Sequence, residues 1–241
     1  AVTGKIGLGA SVLVLPAHDP RMVAQQWATL DYLSNGRAIM GVGLGTERHC
    51  RNFQVSSEGR VARFREAVEL IRALWSQAKV THHGRFFQVD DVSLGIRPAQ
   101  KKLPVWMGVG HPDAIRRAAG IADAWMGAGG SSTDDFRRAV PLLREALAKA
   151  GRDPATFPIS KRIFVAVDER PEVARAELHR WYSEVYHNPG GTNTSGIHGT
   201  PEQVRARLEE IAAMGADHLL LNPVSRYVEQ LDALAGVVGF K

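Results

Sequence analysis

The stretch "KIGLGASVLVLPAHDP", Lys5 to Pro20, decides the fold. It reads as a buried β-strand over residues 6–14 that runs into a proline-stopped loop. Its middle carries Gly9, Ala10 and Ser11, where large β-branched residues would pack better. Small residues inside a strand mark a bulge, or a place where something must come close to the backbone. What approaches there is the question the rest of the sequence has to answer.

Five more runs of the same character follow: "AIMGVGLG" (38–45), "PVWMGVG" (104–110), "AWMGAG" (124–129), "RIFVAV" (162–167) and "HLLLNP" (218–223). Each is nearly continuous in apolar residues rather than alternating, which predicts parallel strands covered on both faces. Amphipathic helices separate them. Val23, Trp27, Leu30 and Leu33 share one face of a helix over about 20–34. Val61, Phe64, Val68, Ile71, Leu74 and Trp75 do the same over 58–77. "GTPEQ" sets Thr200 as N-cap, Pro201 at the first helical position and Gln203 at the third, a capping box. "SSTDD" (131–135) caps a helix that runs to about 150 and closes at Gly151.

Two segments interrupt the alternation. "KVTHHGRFFQVDDVSL" (79–94) predicts a β-hairpin around His83-Gly84-Arg85, outside the main sheet. "HNPGGTNTSGIHG" (187–199) is rich in glycine and asparagine, lacks periodicity and reads as a mobile loop or lid. Six βα-type units within one domain over 1–241 allow either a doubly wound open sheet or a (β/α) barrel.

Composition sets bounds. The chain has 241 residues, 44% of them hydrophobic and 23% charged, so it can build a core. No apolar run reaches the roughly 18–20 residues of a membrane span, and no secretory signal pattern opens the chain. A single cysteine, Cys50, rules out a disulfide framework, and a cytoplasmic protein is expected. The net charge of +5 comes from arginines scattered among glutamates on helices, not from a basic stripe with interleaved aromatics. Nucleic acid and membrane are therefore not the expected partners, and anionic small molecules are compatible.

In both candidate architectures ligands bind at the C-terminal ends of parallel strands. Those ends are glycine-rich here: Gly9-Ala10-Ser11, Gly41 to Gly45, Gly108 to Gly110, and Gly127 to Ser131. Any one glycine is explained by a turn or by close helix packing. Four clusters at equivalent ends predict a site where a flat ring lies against bare backbone, with helix N-termini behind that suit a phosphate. A Rossmann site is disfavoured. "GVGLGT" and "GVGHPDAI" are incomplete fingerprints, and no acidic residue stands about 20 positions after Gly110.

The segment "IGLGASVLVLPAHDPRMVAQQWATLDYLSNGRAIMGVGLGTE" resembles the third and fourth strand units of the bacterial luciferase-like monooxygenase family, which includes the deazaflavin-dependent oxidoreductases. The likeness continues through "FREAVELIRALW", the "HGRFFQV" hairpin, "AAGIADAW", "AGRDP" and "GTPEQVRARLEEIAAMGADHLLL". It implies a (β/α)₈ barrel of the TIM type, of which this sequence supplies six recognisable strands. The first two units are missing, so the chain is a fragment, a natural truncation, or one whose gap a partner covers.

The resemblance also implies a site. In this family the third strand carries a bulge with a non-prolyl cis peptide against which the ring packs, and by position that bond is Ser11–Val12. Gly9, Ala10, Ser11 and Val12 would then face the ring, with Gly43, Gly45 and Thr46 beside them. The phosphate or tail would fall on Gly108, Val109, Gly110 and His111 and on Gly129, Gly130 and Ser131. Relatives place lysine and threonine in that second loop, where this chain has Ala128 and Ser131. The implied cofactor is a deazaflavin of the F420 type, with FMN as second choice. Glu47 is the candidate for proton transfer, one position later than the acid some deazaflavin enzymes use, where this chain has Thr46. The expected activity is hydride transfer to or from a small organic substrate by a homodimer. The alternatives are an FMN-dependent monooxygenase and a cofactor-binding homologue without turnover. Cys50 beside His49 is a weak nucleophile pair, His82-His83 belong to a surface hairpin, and no residues have metal-ligand spacing.

Overall fold

The computed structural model describes residues 3–239, and the chain divides into two compact units after Gly108. The first unit runs β1 (Leu8–Gly9), β2 (Leu13–Val14), α1 (Pro20–Leu33), β3 (Ala38–Gly43), α2 (Glu47–Asn52), α3 (Arg60–Ser76), β4 (Val80–His83), β5 (Gln88–Val92) and β6 (Val105–Gly108). The run expected as one strand over 6–14 is thus two short strands on the same neighbour. Leu8 and Gly9 pair with Ala38 and Ile39, and Leu13 and Val14 pair with Val42 and Gly43, all parallel. Three residues, Ala10 to Val12, lie between the pairs on one strand where Met40 and Gly41 lie on the other. One residue is therefore extra, which defines a bulge. The Ser11–Val12 peptide is cis.

Helix α1 starts where Asp19 accepts the Arg21 amide and Pro20 takes the first helical position. It buries Val23, Ala24 and Ala28, and packs beside α3, whose Phe64, Val68, Ile71 and Leu74 are buried. Its last turn holds the buried Asp31, which accepts hydrogen bonds from the Ala38 amide (3.2 Å), the Gln100 amide (2.9 Å) and Gln100 Nε2 (2.7 Å). Asn35 and Gly36 turn through positive φ, and Arg37 ties the turn together by donating to Ser34 O and Ile6 O. The "DYLSNGR" run is thus a joint between α1, β1 and β3. The predicted hairpin forms as the antiparallel pair β4–β5. Glu66 of α3 holds its turn by accepting the amides of Arg85, Phe86 and Phe87.

The second unit runs α4 (Pro112–Ile121), β7 (Ala124–Gly127), α5 (Thr133–Lys149), β8 (Ile159–Val167), α6 (Pro171–Glu184), α7 (Gly191–Thr194), β9 (Ile197–Gly199), α8 (Pro201–Ala213), β10 (His218–Pro223) and α9 (Tyr227–Val238). β8 is its central strand, parallel to β7, β9 and β10. The capping boxes at Ser132 with Asp135 and at Thr200 with Gln203 open α5 and α8.

Three further features differ from the sequence reading, the first being that β10, expected to be covered on both faces, leaves His218 and Leu220 exposed. β8 begins at Ile159, not Arg162, because Ser160 and Lys161 are buried within it although polar. The stretch 187–199 contains a helical turn and a strand on β8. Its glycines wrap an aromatic ring: a Cβ on Gly191 would fall 2.3 Å from Tyr182, and one on Gly196 would fall 2.6 Å from Leu178. Tyr182 itself is fully buried.

Candidate cofactor site

The first unit places Gly9 to Val12 at the bulge and brings Gly43 and Gly108 against it. A Cβ on Gly43 would lie 2.5 Å from a Val12 methyl, and one on Gly108 would lie 2.7 Å from the other methyl. The glycines at the ends of β3 and β6 thus form a socket for Val12. Gly45, at φ +69°, clears Val14 in the same way. Their immediate role is internal packing that fixes the bulge, and the surface left to a ligand is the bulge itself. Ala10, Ser11 and Val12 are all half-buried, and neither Ala10 nor Ser11, nor Gly9 before them, carries a side chain larger than a hydroxymethyl.

Beyond β3, Thr46 caps α2 in a mutual arrangement with His49. The His49 amide donates to Thr46 Oγ1, and His49 Nδ1 accepts the Thr46 amide at 3.1 Å. His49 Nδ1 is thereby committed, and only Nε2 is left for other work. Glu47 is exposed at the first position of α2. Cys50 is buried, with Arg60 Nη1 3.8 Å from its sulfur.

In the second unit, His111 is the N-cap of α4, and its Nδ1 accepts the Asp113 amide at 3.2 Å. Its ring is exposed, and a Cβ on Gly110 would meet nothing within 4 Å, so this entry is open. The loop from β7 to α5 is built differently. Gly129 clears Phe164 at 2.8 Å and Gly130 clears the Tyr186 hydroxyl at 2.6 Å. The α5 N-terminus behind it is already occupied by an acid: Asp135 Oδ2 accepts the Ser132 amide at 3.0 Å. The Ser132 hydroxyl and amide, with Arg138, hold this carboxylate below its usual pKa. An anion would therefore meet the loop amides, not the helix terminus.

Sequence reasoning missed Lys161. This side chain is 1% exposed, and Nζ donates to Ala128 O (2.7 Å), Ser131 O (2.8 Å) and Ser131 Oγ (2.8 Å). Burial lowers its pKa to about 8 against a small opposing pull from Asp135. The available signal was a lysine next to a strand-like apolar run, "ISKRIFVAV". Among the described residues no group of His, Cys, Asp and Glu could hold a metal ion, and no helix is long and apolar enough to cross a membrane.

Parallel strands on a bulged edge, with glycine-rich loops at their C-terminal ends, define an α/β protein of a class with known members. The fold matches an F420-dependent secondary alcohol dehydrogenase in complex with an F420–acetone adduct, with a TM-score of 0.83 and 22% identity over 98% of this chain and 78% of that one. It matches equally the coenzyme F420-dependent tetrahydromethanopterin reductase of Methanopyrus kandleri, with a TM-score of 0.83 and 22% identity over all of this chain and 85% of that one. This is the α/β barrel type expected from the sequence. The chain belongs to the luciferase-like monooxygenase family, whose profile matches residues 1–196. It is 33% identical over 186 residues to the F420-dependent glucose-6-phosphate dehydrogenase of Kineococcus radiotolerans, a match that covers 75% of this chain and 55% of that protein. The chain spans about half the length of the curated relatives it matches.

Proposed function

We propose that the protein is an oxidoreductase that uses a deazaflavin coenzyme of the F420 type to transfer hydride to or from a small organic substrate. The observation that carries this reading is the one-residue bulge at Ala10 to Val12, seated by Val12 in the Gly43–Gly108 socket. With the Val12 side chain turned into that socket, Ala10 and Ser11 leave a main-chain platform with small side chains, which suits van der Waals contact with a flat ring. The identity to an F420-dependent dehydrogenase supports the choice of coenzyme.

When bound, the coenzyme supplies the hydride chemistry, and the protein supplies binding, orientation and exclusion of water. Gly9 to Val12 support the ring, and Gly43 and Gly45 keep that support in place. Thr46 rigidifies the turn into α2. In the second unit, Val109 to His111 offer an open entry and Gly129 to Ser131 a half-buried loop to a phosphate-bearing tail. Glu47 holds or moves a proton at its carboxylate. A homodimer in the cytoplasm completes the proposal.

The family's monooxygenases support a second reading, with FMN in place of the deazaflavin. Titration with F420 and with FMN, read by fluorescence quenching, separates the two. Saturable F420 binding followed by oxidation or reduction of an alcohol or carbonyl compound is expected. Binding of FMN alone would select the second reading. Binding of either without turnover would leave a cofactor-binding homologue, and binding of neither would overturn the proposal.

A further inference from the structure

Lys161 sits opposite Gly127 in the β7–β8 ladder. Its stem crosses the space that Gly127 leaves open, since a Cβ there would lie 3.2 Å from Lys161 Cδ. An ammonium has three N–H donors, and here all three reach acceptors in one loop, Ala128 O, Ser131 O and Ser131 Oγ. Ser131 Oγ in turn donates to Ala128 O at 2.7 Å. From the other side, Ser195 Oγ donates to Gly130 O at 3.2 Å. The carbonyls of residues 128, 130 and 131 are therefore all turned toward donors of the protein. The Gly129 and Gly130 amides make no hydrogen bond among the described residues. A buried ammonium facing only neutral acceptors is costly, and a methionine would fill the same space. The ammonium adds two things that methionine lacks: tethers on the loop carbonyls and a positive charge beneath them.

We propose that Lys161 is a positioning residue for the anionic tail of the coenzyme, holding the loop 128–131 so that its half-buried Gly130 amide is presented to the tail phosphate. The inference rests on the coenzyme assignment above. Sequence pattern misses it because Lys161 need not touch the ligand at all.

The test compares wild type, Lys161→Met and Lys161→Arg in equilibrium titrations with two probes. One is F420, and the other is the same deazaflavin riboside without its phosphate-linked tail. Circular dichroism and thermal melting establish that each variant is folded. Loss of loop order should weaken F420 binding by about tenfold in Lys161→Met, the scale of one charge-assisted hydrogen bond. The tail-less riboside should bind within about twofold of wild type. Lys161→Arg keeps the charge but cannot reproduce three single-point contacts, so its loss should be smaller and equally confined to F420. Should Lys161→Met not fold, the arginine variant carries the comparison. Equal weakening of both probes, or no weakening while wild type binds F420, overturns the role of Lys161 alone. Failure of wild type to bind either probe overturns the coenzyme assignment and this inference together.

Discussion

Replacing Lys161 by methionine should change the way stability depends on pH, by an amount the structure sets. The lysine is 1% exposed, so its proton affinity reflects the interior and not solvent. Burial lowers its pKa from 10.5 to about 8. At 1.36 kcal/mol per pH unit the difference is about 3 kcal/mol. Below pH 8 the native chain carries this lysine charged, and the burial penalty is present in full. Between pH 8 and 10.5 the unfolded chain still binds the proton while the native chain has released it. Unfolding then takes up a proton, so native stability rises with pH across that window. Lys161→Met lacks both the penalty and its relief, and the loss of one N–H donor when the native ammonium becomes an amine is part of the same proton affinity. Urea denaturation of both proteins, followed by tryptophan fluorescence from pH 7 to 10.5, isolates the term as a difference. The wild type should gain about 3 kcal/mol on the variant, nearly all of it above pH 8. A difference that stays level across the whole range would show that Lys161 keeps an ordinary proton affinity and that its burial has been misjudged.

Three other outcomes follow from named contacts. Asp31→Ala strands the buried Ala38 amide and removes the acceptor of the half-buried Gln100 amide, while Gln100 Nε2 keeps Ala38 O, which should cost about 2 kcal/mol and lower the melting temperature by about 4–8 °C; a shift under 2 °C would contradict this role of Asp31. Gly43→Ala drives a methyl to 2.5 Å from Val12, so F420 binding should weaken, and adding Val12→Ala should restore part of it; no interaction between the two changes in the double-mutant cycle would dismiss the socket. Glu66 is partly desolvated, which raises its pKa, but the Phe86 and Phe87 amides and His82 outweigh this and hold it below 4.5. Its hold on the hairpin should therefore persist above pH 4.5 and fade as pH falls through its depressed native value, while Glu66→Gln loosens it at every pH. Hydrogen exchange of residues 84–88 measures both effects, and protection unchanged in the glutamine variant would count against this anchor.

Much of the architecture could be read because local rules and the fold agree. The apolar runs at 38–43, 105–108 and 124–127 are strands because buried parallel strands tolerate no polar alternation, whereas 218–223 is a strand although His218 and Leu220 are exposed. Ser132 and Thr200 announce helix starts through contacts made within four residues. The rest depends on distant partners. Gly191 and Gly196 suggested mobility by composition, yet each is small because Tyr182 or Leu178 occupies the space beside it. Lys161 looked like the edge of a strand because its acceptors lie some 30 residues earlier in the chain. The glycines at the strand ends carry a mixed signal. Gly43, Gly45, Gly127, Gly129 and Gly130 each clear a side chain of the protein itself, and sequence cannot tell that from clearance for a ligand.

The extra residue between Gly9 and Leu13 is useless to the sheet. Leu8 and Gly9 are in step with Ala38 and Ile39, and Leu13 and Val14 with Val42 and Gly43, so a chain one residue shorter could run as a single unbroken ladder without shifting any existing partner. Folding alone would favour that shorter edge. Excising Ala10 should therefore yield a sturdier protein without the platform proposed for the coenzyme ring, so that robustness and the proposed function pull against each other at one position.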